Sequence, residues 1–204
     1  MPLTDPSQDL ALLREMRNGN AAAFEQLYRR HHAPLYRFAL LRCCSRDTAD
    51  DIVQEIFMGL FTNSFNFDPA RGALQSFLFG VARNLAMKRE ESQQRLISTT
   101  RQDEDGNETN GDDLLVDTAP DAETHLLANQ RADTVRQALT RLAPHYRDVV
   151  ILYEMHDLSY MEIAEICHID IGTVRSRLSR ARAQLATLLQ ECAAPAEAAT
   201  AQQY

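Results

Sequence analysis

Residues 159–189 read SYMEIAEICHIDIGTVRSRLSRARAQLATLL, and this stretch predicts two helices around a tight turn. Ser159 followed by Glu162 is a capping box, which starts the first helix there. Asp170 suits the N-cap of the second, with Ile169 and Val174 spaced as a hydrophobic staple. Val174, Leu178, Ala181, Leu185 and Leu188 recur at steps of four and three, so they form one buried stripe. Arg175 and Arg182 flank that stripe on one side, Arg177 and Arg180 on the other, and Ser176 and Ser179 project away from it. Ala164 is small enough to let the two helices approach closely. Four arginines with no acid among them favour a helix-turn-helix that meets DNA over a merely solvated helix face.

The charge distribution supports that polarity. The 204-residue chain carries a formal charge of -8, which at first argues against phosphate binding. Residues 96–124 hold one Arg against nine acidic residues, so this strip alone equals the imbalance of the whole chain. Residues 171–189 hold four Arg and no acid. An acidic strip and a basic helix are thus separated along the chain. With 45% hydrophobic residues there is material for one or two helical cores. Cys43, Cys44, Cys167 and Cys192 show no framework spacing and read as reduced thiols. The N-terminus MPLTDPSQD lacks a basic and an apolar region, and no apolar run reaches spanning length, so a cytoplasmic chain without membrane insertion is expected.

Leu3 to Asn18 predicts a short helix stopped at Asn18-Gly19. Asn20 caps a longer one to about Cys43, with Phe24, Leu27, Tyr28, Leu35, Phe38 and Leu41 on one face; Pro34 predicts a kink or break in it. His31 and His32 are adjacent and point in different directions, which suits packed or solvated histidines better than a metal pair. Asp47 to Phe61 predicts a helix burying Ile52, Ile56, Phe57 and Leu60, with Asp50, Asp51, Gln54 and Glu55 on its polar face. That face is either solvated or a partner surface.

Residues 62–73, TNSFNFDPARGA, form a loop with Asp68-Pro69 as turn chemistry. Phe65 and Phe67 within it either tuck into the core or offer faces to unstacked bases. Leu74 to Glu91 returns to helix with Phe77, Leu78, Val81, Ala82 and Leu85 inward and Arg83, Asn84, Lys88 and Arg89 around them. From Leu96 to Asp121 dense acidic charge and low hydrophobicity predict a flexible linker, with Leu114 to Val116 as a docking point within it. Ala122 to Leu142 is helical, facing Leu126, Leu127, Val135, Leu139 and Leu142 inward. Pro144 opens another helix to about His156, burying Val149, Val150 and Leu152. The last residues predict a disordered tail.

At this point three segments, in order, resemble the extracytoplasmic-function class of bacterial sigma factors in the sigma-70 family. TADDIVQEIF (48–57) resembles that family's core-polymerase-binding helix, LQSFLFGVARNLAMK (74–88) its minus-10 recognition and melting element, and residues 159–183 its minus-35 reader. The resemblance implies an all-α chain of two small helical domains: domain 2 over residues 9–93, an acidic linker over 94–121, domain 4 with its helix-turn-helix over 122–190, and a disordered tail over 191–204. It implies that the protein, not an enzyme, binds the beta-prime and beta subunits of core RNA polymerase through Asp50, Asp51, Gln54, Glu55 and Phe57. Phe65, Phe67, Arg71, Phe77, Arg83, Asn84 and Lys88 would hold minus-10 DNA; Thr173, Arg175, Ser176, Arg177 and Arg180 would meet minus-35 DNA. It further implies a linker threaded near the RNA path, an anti-sigma partner, and no cofactor or metal. The sequence departs from the family at Leu74 and Phe77, where Phe and Trp are common, at Gly80, and at His168, where the turn commonly has Gly; His tolerates the left-handed conformation better than most residues.

Two other classes compete. A polymerase-independent helix-turn-helix regulator explains residues 159–189 but leaves TADDIVQEIF and the loop aromatics without a role. A zinc enzyme built on His31, His32, Cys43 and Cys44 lacks the spaced ligand pairs of such sites. A redox role for Cys43-Cys44 has only their adjacency in its favour.

Overall fold

Asn20 sets the frame of the N-terminal half. Its side-chain oxygen accepts hydrogen bonds from the N–H groups of Ala22 and Ala23, satisfying donors that a helix start leaves open. The helix it begins is α2 (Ala21–Cys43), preceded by α1 (Pro6–Arg17). The computed structural model describes residues 6–100 and 122–193, with side chains for 7–95 and 132–192. Gly19, at φ 89°, makes the turn between the two helices. Asp9 ties them together, with its carboxylate on Arg30 and 3.0 Å from His31 Nε2. Burial alone would raise the Asp9 pKa, but His31 and Arg30 outweigh it and hold the carboxyl below its ordinary value.

Of the kink or break expected at Pro34, the break is absent, and α2 runs through as one helix. Proline costs about 3 kcal/mol inside a helix. Leu27, Leu35 and Phe38 are buried on either side of it, each contributing roughly 1.5–3 kcal/mol, so burial wins. The helix ends at Cys44, which takes the left-handed conformation and donates its N–H to the Leu40 carbonyl. Next, Ser45 caps α3 (Arg46–Phe61) by accepting from the Thr48 N–H. The expected stripe of Ile52, Ile56, Phe57 and Leu60 is buried, with Val53 beside it.

After a loop in which Asp68 caps a 3-10 turn at Pro69–Arg71, α4 runs from Leu74 to Thr100. Its first seven residues past 93 are therefore helical, not linker. Its inward face also differs from expectation: Leu74, Leu78, Phe79, Ala82 and Ala86 are buried, whereas Phe77, Val81 and Leu85 are half-buried. The cause is that α4 packs against α1, α2 and α3 on one side and against the C-terminal half on another. Two covered sides blur a single amphipathic stripe.

The C-terminal half comprises α5 (Ala122–Arg141), α6 (Pro144–Glu154), α7 (Tyr160–Cys167) and α8 (Ile171–Ala193). Pro144 occupies the first turn of α6, as anticipated. Leu139, Leu142, Val149, Val150 and Leu152 are buried with Ile163, Val174, Leu178 and Ala181. The expected inward residues Leu126 and Leu127, the linker docking point and most of the acidic strip lie outside the described side chains. Residues 191–193, expected to belong to the tail, continue α8; the rest of the expected tail lies outside the described residues. Among the described residues there are eight α-helices and no strand. None of these helices is long and apolar enough to cross a membrane.

Candidate protein and nucleic-acid interfaces

An apolar groove opens between α1, α2 and α3, with a cavity volume of about 770 Å³. Phe24, Tyr28 and Phe57 form its wall; their rings lie 6.2 Å apart for Phe24 and Phe57 and 4.7 Å for Tyr28 and Phe57. Met58 and Phe61 stand at its edge, 54% and 58% exposed. Large apolar side chains rarely stay that exposed together without a partner. Asp50, Gln54 and His32 supply a polar rim. Of the expected polymerase contacts, the groove gathers Asp50, Gln54 and Phe57. Asp51 is exposed outside it, and Glu55 forms a surface ion pair with Arg89 at 3.2 Å. Phe57 is 4% exposed, so it is groove floor and core at once. Sequence reasoning missed Phe24, Tyr28, His32, Met58 and Phe61 as surface; the available signal was Met58 and Phe61 flanking the buried stripe of α3.

The second feature is a crevice of about 400 Å³ where the 62–73 loop meets α4. Phe67 packs on Phe77 with ring centroids 5.1 Å apart, and both line it with Arg71 and Asn84. Phe65 does not join them. A Cβ added at Gly59 would come within 2.0 Å of the Phe65 ring, so this ring lies against the bare backbone of α3. Phe65 is half-buried there, apart from the crevice that gathers Phe67, Phe77, Arg71 and Asn84. Gly80 opens onto the same crevice with no atom near its missing side chain. Lys88 is exposed further along α4.

Arg83 is only 12% exposed, because its Nε donates to the Asp148 carboxylate of α6 at 2.7 Å. Asp148 also takes Arg42 Nε, and Arg42 in turn holds Glu90 through both terminal nitrogens. Arg42 is fully buried, and although burial disfavours its charge, Glu90 and Asp148 hold its pKa above the ordinary value. Arg147 spans the same junction, donating to the Arg42 carbonyl at 2.8 Å and to those of Thr140 and Leu142 at 2.6 and 3.0 Å. His156 inserts beside Phe79 and Phe38, at centroid distances of 4.7 and 6.2 Å. Burial, with the Arg37 charge, pushes its pKa down to about 4. The expected DNA residue Arg83 is thus engaged within the protein.

In the C-terminal half the capping box forms in both directions: Ser159 Oγ accepts the Glu162 N–H, and Glu162 accepts the Ser159 N–H at 2.8 Å. His168 ends α7 at φ 54°, ψ 50°, the left-handed position expected of it. In α8, Val174, Leu178 and Ala181 are buried while Leu185 and Leu188 are half-buried. Thr173 is half-buried, and Ser176 is exposed and donates to the Thr173 carbonyl at 3.0 Å. Arg180 is exposed, and Arg175 lies 5.8 Å from the Tyr160 ring centroid. Arg177 is half-buried at the edge of the stripe. Arg182 bonds Glu154 at 2.7 Å over the Tyr153 ring.

Cys43, Cys44 and Cys167 are unpaired; burial pushes each thiol up, to about 11 for Cys43 and Cys167. Such thiols stay protonated near neutral pH and are poor nucleophiles. Among the described residues no group of three or more His, Cys, Asp or Glu could hold a metal ion.

Comparison with known proteins gives these features a context. The family model for Sigma-70 region 2 matches residues 27–96, and that for Sigma-70 region 4 matches residues 132–185. The ECF RNA polymerase sigma factor SigM of Mycobacterium tuberculosis is 31% identical over 188 residues, covering 89% of this chain and 84% of the relative. The RNA polymerase sigma factor NccH of Alcaligenes xylosoxydans is 30% identical, covering 92% and 98%. Among solved structures, RpoE bound to the anti-sigma factor NepR, from Bartonella quintana, superposes with a TM-score of 0.62 at 26% identity, over 82% of this chain and 96% of that one. CnrH in complex with the cytosolic domain of CnrY superposes at 0.63 with 23% identity, over 90% and 98%.

Proposed function

The chain belongs to the extracytoplasmic-function class of sigma-70 RNA polymerase sigma factors, and from that membership we propose how its surfaces divide the work of initiation. As a sigma factor it binds core RNA polymerase and promoter DNA and directs transcription initiation. In our reading the groove of Phe24, Tyr28, Phe57, Met58 and Phe61 receives an apolar helix face of the polymerase beta-prime subunit, with Asp50 and Gln54 setting its register. Apolar anchors supply most of the affinity of such docking, and rim charges supply orientation.

The crevice of Phe67, Phe77, Arg71 and Asn84 would hold an extruded non-template base of the minus-10 element by stacking and amide hydrogen bonds. Unstacking costs a few kcal/mol, and base–aromatic stacking returns about 1–3 kcal/mol. Lys88, and Arg83 once released from Asp148, would meet the strand's phosphates. In the C-terminal half α8 would enter the major groove at the minus-35 element, with Ser176 and Arg180 turned outward, Thr173 half-buried beside them and Arg175 steadied by Tyr160. Arg177, half-buried, would reach only the backbone. The protein acts in the cytoplasm, has no catalytic centre of its own, and is held inactive by an anti-sigma factor; the RpoE–NepR complex supports that last element.

The observation that carries the reading is the outward basic and hydroxyl face of α8, on a helix whose opposite side is locked into the core. Replacing Arg175 and Arg180 by Ala tests it. Promoter-specific transcription should lose its dependence on the minus-35 element, while affinity for core polymerase stays unchanged. Equal losses of both would refute the division.

A further inference from the structure

Gly80 lies in the interior of α4, where glycine weakens a helix relative to Ala. Nothing in the packing requires it there. Its φ is not among the positive values found at Gly19 and Gly72, and a Cβ built on it would meet no atom within 4 Å. Gly59 differs, because the Phe65 ring fills the place of its side chain. Gly80 is half-buried, and the space beside it belongs to the crevice. Ser76, Phe77 and Asn84 stand one helical turn away on the same face of α4, and all three line the crevice with it. Across from them the 62–73 loop presents Arg71 and Phe67, whose ring meets that of Phe77 at 5.1 Å. The missing side chain therefore leaves a notch beside an aromatic pair. Asn84 is exposed, and its side chain makes no hydrogen bond with another described residue.

We propose that Gly80 sets the base specificity of this crevice, making it a slot for an extruded adenine whose edge Asn84 reads. The inference rests on the reading of the crevice as a site for an unstacked base, and it names that base. Size decides first. A base stacked on the aromatic pair and directed toward α4 meets the notch with the end furthest from its sugar. A purine, one ring longer, fills the notch, whereas a pyrimidine stops short and forfeits those contacts. Hydrogen bonding then separates the two purines. Asn84, one turn further along α4, lies to the side of a base so inserted. Adenine presents an acceptor and a donor on that edge, N7 and the N6 amino group, and they match the donor and acceptor of one amide. Guanine presents two acceptors there, N7 and O6, and leaves the amide oxygen unpaired. Arg71 would suit guanine by its charge, but it stands exposed on the loop wall opposite the notch, on the side where the sugar and phosphate of the inserted nucleotide lie. Any side chain at position 80 would take the space of the longer base, so residue 80 acts as a size gate without touching the rings.

The test uses holoenzyme assembled from core RNA polymerase and the full chain, as wild type, Gly80→Ala or Gly80→Leu. Ala and Leu are better helix formers than Gly, so both variants should keep the fold, which a urea midpoint checks. Each holoenzyme is selected on fork-junction DNA whose single-stranded non-template segment is randomised, and the retained strands are sequenced. Wild type should enrich adenine over the other three bases at one position. Gly80→Leu should lower that enrichment relative to pyrimidines by roughly tenfold or more, the scale of a pocket changed by one or more methylene groups. Gly80→Ala should fall between, and preferences at the other positions should not move. Absence of such an adenine in the wild type, or an unchanged preference in Gly80→Leu, would overturn the inference. An abasic nucleotide at the selected position separates it from the reading beneath it. If removing the base weakens wild-type binding while Gly80→Leu shifts no preference, the crevice still holds a base and the role of Gly80 alone falls. If the abasic strand binds as tightly as the adenine strand, the crevice reading fails as well.

Discussion

Phe61→Ala isolates the polymerase groove from the rest of the fold. The Phe61 side chain is 58% exposed in the free protein, so its loss opens little cavity, and Ala is a better helix former at the end of α3. Folding stability should therefore stay within about 0.5 kcal/mol of wild type. Docking would cover the exposed part of the ring. A Phe presents roughly 150–250 Å², so on the order of 100 Å² remains to be buried, and about 25 cal/mol per Å² converts that to about 2.5 kcal/mol. The expected weakening of core-polymerase affinity is roughly 60-fold, an upper estimate because some area gain is offset by ordering the ring. Met58→Ala should act in the same direction, and both together should remove detectable association at the concentrations where wild type is half bound. Fluorescence anisotropy of labelled protein titrated with core enzyme measures this, and a urea midpoint checks the fold. Affinity within threefold of wild type in the double variant, with the fold intact, would show that polymerase docks elsewhere.

Further predictions address single features of the fold. Gly59→Ala should destabilise the protein by about 1–3 kcal/mol, since its Cβ would meet the Phe65 ring at 2.0 Å; adding Phe65→Ala should restore most of the urea midpoint, and an unchanged midpoint in the single variant would contradict the packing. His168→Gly should raise the unfolding midpoint by about 1 kcal/mol equivalent, because a left-handed residue with a Cβ costs about that much; a loss would mean the His168 side chain holds the turn. His156 makes stability pH-dependent: its pKa in the folded protein, about 4, lies below the ordinary value of 6.5, so its neutral form is favoured by packing. That contribution is fully present above pH 6.5 and declines by about 1.4 kcal/mol per unit as pH falls toward 4. Asp9, with its lowered pKa, loses its contribution at more acid pH still. His156→Gln should flatten the loss between pH 6.5 and 4, and an unaltered slope would refute the assignment.

Local signals made much of the fold legible from sequence. Asn20, Ser159 with Glu162, Pro144 and the Asn18-Gly19 stop act within four residues of themselves, and each sits at the helix boundary it predicted. The step-of-four-and-three stripe of α8 was equally readable because one side of that helix meets the core. The face of α4 was not, since it is covered from two directions, and Phe79 rather than Phe77 is the core residue. Burial of Arg42 with Asp148 was invisible, because 106 positions separate the partners and nothing in either neighbourhood marks them. Arg83 was found as a basic residue on the right helix, but its engagement depends on the other half of the chain. The position of Phe65 does have a local signal: Gly59 in α3 offers a bare backbone strip, and an aromatic six positions later can lie on it. The groove aromatics Phe24 and Tyr28 share the apolar stripe of α2, and periodicity identifies such a face without telling whether this chain or a partner covers it.

In the proposed mechanism two DNA-reading surfaces act together under the control of one polymerase. The most direct measurement is transcription from a randomised promoter library by core polymerase with and without the protein. A set of start sites should appear only with the protein and share two upstream elements at a fixed spacing. No gain in initiation, or a gain that tolerates any spacing between the elements, would contradict it.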